Sequence, residues 1–277
     1  SKFVHYKPRT LVINNLEFDH ADIFENLAAI QRQFHHLIRT VPQQGSIYSP
    51  KNHKAIDQVL DMGCWSDTYS MASASSQDAD SAAVDAAAWM AVPLKPDFSE
   101  FEVFSQGESV ARVRWDLIGD HNMQNGLAAM AAASDAGISA QQSSEALAKF
   151  RGIKRRLETV AESETIVLYD DFAHHPTAIK TTLEGLRAKV GADYILAVIE
   201  PRSQTMKQGV HKSQLAEAVA QADQTIWFES DAVQWTMSET LAPEDKVFSD
   251  FDAMLSEIEE QTRGVGRHHV LVMSNGG

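Results

Sequence analysis

The apolar residues of this chain change period along its length. RTLVINN (9–15) is a short buried-strand pattern. Beyond LEFDHAD, the positions Ile23, Leu27, Ile30, Phe34 and Leu37 recur at helical steps and predict one apolar helix face. Between 46 and 118 the rhythm differs. EFEVFSQGESVARVRWDL alternates apolar and polar positions around a Gly-containing turn, which predicts an antiparallel hairpin, and the small polar stretch 72–81 reads as a loop. GDHNMQNGLAAMAAASDAGIS predicts an alanine-rich helix bounded by Gly137, with a second helix over 140–150. From residue 160 strands and helices alternate: TIVLYDD, helix 176–190, YILAVIE, helix 211–221, QTIWFES, helix 250–261, HHVLVMSN. Such alternation predicts a doubly wound, mostly parallel sheet. The composition shifts near 157–163, which divides the chain into domains 1–157 and 158–277.

Composition narrows the classes. Apolar residues make up 44% and charged residues 22% of the chain, as in an ordinary globular protein. No apolar run approaches the roughly 20 residues that cross a bilayer. The opening SKFVHYKPRT carries no apolar secretory segment, and the single Cys64 excludes an internal disulfide. A cytoplasmic protein without a membrane partner is the expectation. A net charge of −14 argues against nucleic acid, whose phosphates need clustered Lys and Arg, but leaves room for a small anionic ligand. The chain starts in a strand-like pattern within ten residues and stops on a strand running into glycines, so both ends read as interior to a longer protein.

The densest chemistry is YDDFAHHPTAIK (169–180). In an open parallel sheet, ligands gather at the carboxyl ends of strands, where Asp170 and Asp171 sit. Pro176 suits the first turn of a helix. Residues 170–175 are therefore presented at a rim. Asp170 and His175 can also serve as helix caps, the plain structural alternative. A zinc hydrolase built on Asp171, His174 and His175 is the competing chemistry, although adjacent histidines in extended backbone point to opposite sides.

Other groups stand at comparable places. His20 and Asp22 follow a strand and precede a helix, a position for a Mg²⁺ ligand or a cap. Asn122 and Asn125 lie three apart on one helix face, where paired amides can read a purine edge or merely cap. RGIKRRLE (151–158) concentrates cations that grip phosphate or line a solvated hinge. EPRSQTMKQGVHK follows another strand end and offers Arg202 and Lys207.

Together NNLEFDHAD, GDHNMQNGLAAMAAA, FRGIKRRLE, YDDFAHHPTAI and EPRSQTMKQG resemble, in order and over essentially the whole chain, the Mur ligase family of ATP-dependent amide-forming enzymes of peptidoglycan metabolism. The resemblance implies an α/β fold: a partial P-loop-type central domain with antiparallel strands, then a Rossmann-like, mostly parallel C-terminal domain lacking its last helix. The family's UDP-binding domain and glycine-rich phosphate loop are not in this sequence, so the segment alone is expected to be inactive. The implied cofactors are ATP and Mg²⁺. Within the family, EPRSQTMKQG favours members that join a murein tripeptide to UDP-N-acetylmuramate, with members adding free L-alanine as the rival.

The resemblance also implies roles. His20 would ligate Mg²⁺; His121, Asn122 and Asn125 would hold adenine. Arg156 would contact the nucleotide, and Asp171 would bind ribose or orient Arg156, with closure about 151–160 uniting them. Arg202, Thr205, Lys207, Ser274 and Asn275 would face the peptide, with His174 and His175 near it.

Overall fold

The computed structural model describes residues 2–74 and 87–276, which divide into two units, Ser1–Arg151 and Gly152–Gly277. In the first, six strands lie side by side in chain order: β1 (Thr10–Val12), β2 (Ser46–Pro50), β3 (Asp67–Ser73), β4 (Trp89–Pro93), β5 (Glu100–Ser105) and β6 (Glu108–Arg114). The first four are parallel, and β4–β5 and β5–β6 are antiparallel. The hairpin predicted from alternation is β5–β6, which turns through Gln106 and Gly107, both at positive φ. The parallel half is not visible as a pattern, because SIYSP and DTYSMAS mix hydroxyls with apolar residues on both faces. Of the loop expected over 72–81, residues 72 and 73 end β3, and 75–81 fall outside the described residues.

Helices α1 (Leu27–Ile38) and α2 (Lys54–Asp61) bury Ile30, Leu37, Ile38 and Ile56 with Ile13 and Ile47 of the sheet side. The helix predicted to include Ile23 starts four residues later. Asn26 caps it through Ala29 N–H, and Ile23, 69% exposed, belongs to a turn closed on the His20 carbonyl. A side-chain cap fixes the first turn more firmly than apolar spacing does. Helix α3 (Asp120–Asp135) lays Met123, Leu127 and Met130 on Phe101, Val113 and Trp115. Helix α4 (Ala140–Leu147) opens with a Ser139–Gln142 capping box. It stops at Leu147 rather than 150, because Phe150 is exposed and supplies no buried contact to extend it.

The second unit holds β7 (Glu158–Glu162), β8 (Ile166–Asp171), β9 (Tyr194–Ile199), β10 (Gln224–Phe228), β11 (Lys246–Phe248) and β12 (His268–Met273), ordered β11-β10-β9-β12-β8-β7. All neighbours run parallel except β7 against β8. One face is covered by α5 (Pro176–Val190), whose Ile179, Leu183 and Leu186 are fully buried, and by the short helices α6 (Gln204–Lys207) and α7 (Leu215–Ala218). Helix α8 (Phe251–Gln261) contributes Met254 to the opposite face. The helix expected over 211–221 is instead a 3-10 turn, Lys212–Gln214, followed by α7. Only Leu215, Ala218 and Val219 have core to bury there, about one turn's worth. The stretch 152–157 packs with this second unit.

Candidate functional site

The carboxyl ends of β8, β9 and β12 converge on one network in the second unit. Apolar alternation carries β8 through the core and delivers Asp170 and Asp171 at its end. Asp171 is 3% exposed. Its two carboxylate oxygens accept the backbone N–H of Ala173 at 2.7 Å and of Leu157 at 2.6 Å. Burial pushes its carboxyl pKa up, and those two backbone donors together with the nearby Arg156 charge oppose the shift. Asp171 therefore fixes the backbone on either side of the turn. It holds the chain that carries Arg156 rather than the Arg156 guanidinium.

Arg155, which the resemblance did not single out, ties the network together. Its Nε donates to Asp170 at 3.1 Å, its Nη2 to the Ser274 carbonyl at 2.5 Å, and its carbonyl accepts Phe172 N–H. Both Arg155 (φ 59) and Leu157 (φ 49) occupy the left-handed region, an uncommon conformation that surrounding contacts must enforce. Arg156, held between them, is exposed and lies 5.7 Å from the Phe172 ring centroid. The sequence signal for this division was slight: paired arginines facing paired aspartates. Arg156 and Asp171 share one unit, so their proximity requires no closure.

Ser274 follows β12. Its hydroxyl donates to Glu200 at 2.7 Å, and its N–H donates to the Asp171 carbonyl at 3.1 Å. Glu200 also stands 3.8 Å from Arg202, whose side chain occupies the space that a Cβ at Gly276 would take. Asn275 Oδ1 is buried with no hydrogen-bond partner in the structure. Ser274 and Arg202 thus both meet Glu200, a residue the sequence reading did not include, and Asn275 follows Ser274 in the chain. Lys207 is half-buried at the end of α6. Thr205, which the resemblance implied would face the peptide, is 2% exposed and lies inside the fold.

His174 and His175 serve the turn itself. His174 Nδ1 is 2.9 Å from the Phe172 carbonyl, and His175 caps α5 through Thr177 N–H while its ring meets His211 edge-on at 4.6 Å. With Asp171 satisfied by backbone donors, the zinc alternative has no ligand set. Among the described residues no group of three or more His, Cys, Asp or Glu side chains is placed to hold a metal.

In the first unit, α3 follows Gly119 (φ 88) and carries Asn122 and Asn125 in its first two turns. Asn122 Nδ2 donates to the Ile118 carbonyl at 2.7 Å, and Asn125 Oδ1 accepts from Asn14, two residues beyond β1, at 2.5 Å. These bonds use the Asn122 NH₂ and the Asn125 Oδ1, so the Asn122 Oδ1 acceptor and the Asn125 NH₂ donor are the atoms they leave. Asn14 also lines a cavity of about 360 Å³ with Lys51, Asn52, Ser73 and Gln124. His121 is half-buried beside the pair. His20 is exposed at φ 55, its N–H bound by Asp19, and it offers a single imidazole from a tight turn. No described helix is long and apolar enough to cross a membrane.

Comparison with known proteins gives two family matches: the Mur ligase middle domain over residues 1–133 and the Mur ligase glutamate ligase domain over 155–276. The whole chain is 45% identical to the UDP-N-acetylmuramate–L-alanyl-γ-D-glutamyl-meso-2,6-diaminoheptandioate ligase of Escherichia coli, spanning 58% of that protein. A UDP-N-acetylmuramate–L-alanine ligase of Caldicellulosiruptor bescii is 32% identical over 81% of the chain and 47% of its own length. The crystal structure of a murein peptide ligase from Psychrobacter arcticus superposes with a TM-score of 0.68 at 37% identity, covering 100% of this chain and 56% of that one.

Proposed function

The chain belongs to the Mur ligase family, and from that premise we propose that the full-length protein is a cytoplasmic ligase that joins L-alanyl-γ-D-glutamyl-meso-diaminopimelate to UDP-N-acetylmuramate using ATP, in peptidoglycan recycling. The observation that carries this reading is 45% identity across the entire chain to the ligase of that name, against 32% over 81% for a ligase of free L-alanine. In this reaction a sugar carboxylate oxygen attacks the γ-phosphorus and ADP leaves. The peptide amine then attacks the acyl carbon, loses a proton and expels phosphate. Both steps depend on positioning and on neutralising charge.

The residues present suit the adenine. The Asn122 carbonyl accepts from an exocyclic amine while the Asn125 NH₂ donates to the adjacent ring nitrogen, with His121 alongside. Arg156, presented by the Asp171-anchored turn, meets nucleotide charge; Asp171 acts through that turn. Arg202 and Lys207 offer cations to a carboxylate-bearing peptide, with Ser274, Asn275, His174 and His175 around them; Thr205 supports the loop from within. Mg²⁺ is the implied metal. His20 supplies one donor for it, and among the described residues no group of three or more His, Cys, Asp or Glu completes a site.

The test is ADP release by the full-length protein given ATP, Mg²⁺, UDP-N-acetylmuramate and either the tripeptide or L-alanine. Turnover is expected with the tripeptide, and Arg156→Ala should lower kcat/KM by a factor on the order of 10². Turnover with L-alanine alone, or an Arg156→Ala protein as fast as the parent, sinks the reading.

A further inference from the structure

Helix α6 is four residues long, too short to sustain itself, yet it follows Arg202 and ends on Lys207. Its support comes from outside. Trp235 Nε1–H donates to the Met206 carbonyl at 2.9 Å, and Gln234 N–H donates to the Lys207 carbonyl at 2.8 Å. The Lys207 carbonyl belongs to a last turn, which a helix leaves without internal partners, while the Met206 carbonyl also accepts Gly209 N–H at 3.0 Å, so that the indole N–H is its second donor. The indole face lies on Gly209, where φ is +69 and an added Cβ would come within 2.8 Å of the ring. Gly209 thus meets two demands at once, a left-handed backbone and close approach of an aromatic plane. Trp235 is only partly buried at the edge of the core, so its ring face and its N–H are both spent on this loop.

We propose that Trp235 is a positioning residue for the peptide substrate: by clamping Met206 and Gly209 it sets the loop 202–209, and hence the spacing of Arg202 and Lys207. The proposal rests on the ligase reading above. On the substrate side it fits a ligand bearing several carboxylates, because two separated cations discriminate by distance only if their loop is held.

The full-length protein carrying Trp235→Phe, Trp235→Ala or Gly209→Ala is to be compared with the parent for the KM of tripeptide, ATP and UDP-sugar. Trp235→Phe keeps an aromatic side chain, though a smaller one, and removes the indole N–H hydrogen bond, so tripeptide KM rises about fivefold. Trp235→Ala and Gly209→Ala raise it about tenfold or more, while the ATP KM stays within about twofold in all three. An unchanged tripeptide KM in folded Trp235→Phe and Gly209→Ala, or a parallel rise for all substrates, overturns the proposal. Should the parent not use the tripeptide, the ligase reading has failed. The clamp is then judged by trypsin cleavage after Arg202, Lys207 and Lys212, faster in Trp235→Phe if the clamp exists and unchanged if it does not.

Discussion

Asp170 and Asp171 are neighbours with different work. Asp170, with its side chain 31% exposed, meets a guanidinium at the surface; Asp171, nearly sealed, spends both oxygens on backbone donors. Their place at a strand end was legible from the apolar run before them. Their division of labour was not, because it depends on Leu157 and Ser274, which only folding brings near. His269 on β12 is a second case that sequence could not announce. It is 5% exposed, between Tyr169 OH of β8 at 3.0 Å and Asp193 at 3.3 Å, with Arg267 and Lys189 nearby. Burial pulls its pKa down, helped by Arg267 and Lys189, and Asp193 only partly offsets this. A folded pKa below the unfolded value of about 6.5 means the folded state binds the proton more weakly. Stability is then full above about pH 6.5 and lost as pH falls through the folded value. Tm should drop as pH falls below about 6.5, and His269→Gln should flatten that drop; equal slopes would refute it.

At the scale of elements, what the sequence disclosed was what local chemistry decides. Pro176 and the buried face of Ile179, Leu183 and Leu186 predicted α5 to within its observed bounds, and β8, β9, β10 and β12 sit where their apolar runs lie. Elements held mainly by neighbours were illegible: β2 and β3 with their hydroxyls, edge strands β7 and β11, and the broken segment 212–218. Helix α3 shows how one residue sets packing between elements. A Cβ at Gly126 would stand 2.8 Å from the Trp115 ring and 3.3 Å from Phe101. Gly126→Ala gains up to about 1 kcal/mol of helix propensity but forces a buried tryptophan to move, at about 1–3 kcal/mol. The net expectation is a loss of roughly 1 kcal/mol, read as a lower denaturant midpoint at unchanged slope. A gain in stability would show that Trp115 can yield without cost.

The whole molecule comprises units of ordinary domain size, each with its own sheet and core clusters. The segment joining them exposes Arg151, Ile153, Lys154 and Arg156, whereas Arg155 is pinned to Asp170. Limited trypsin digestion should cut first within 151–156 and leave two folded fragments; collapse of both into small peptides would contradict independent cores. The order of the second sheet has a further consequence for how this unit comes into being. Its last strand, β12, lies between β8 and β9 rather than at a margin, and Tyr169 meets His269 across 100 residues. On the ribosome, β8 and β9 must wait with open flanks until the strand that fills the gap has emerged. A nascent chain halted just before residue 268 would lack the middle of its sheet, leaving two half-built ribbons as a target for chaperones and proteases.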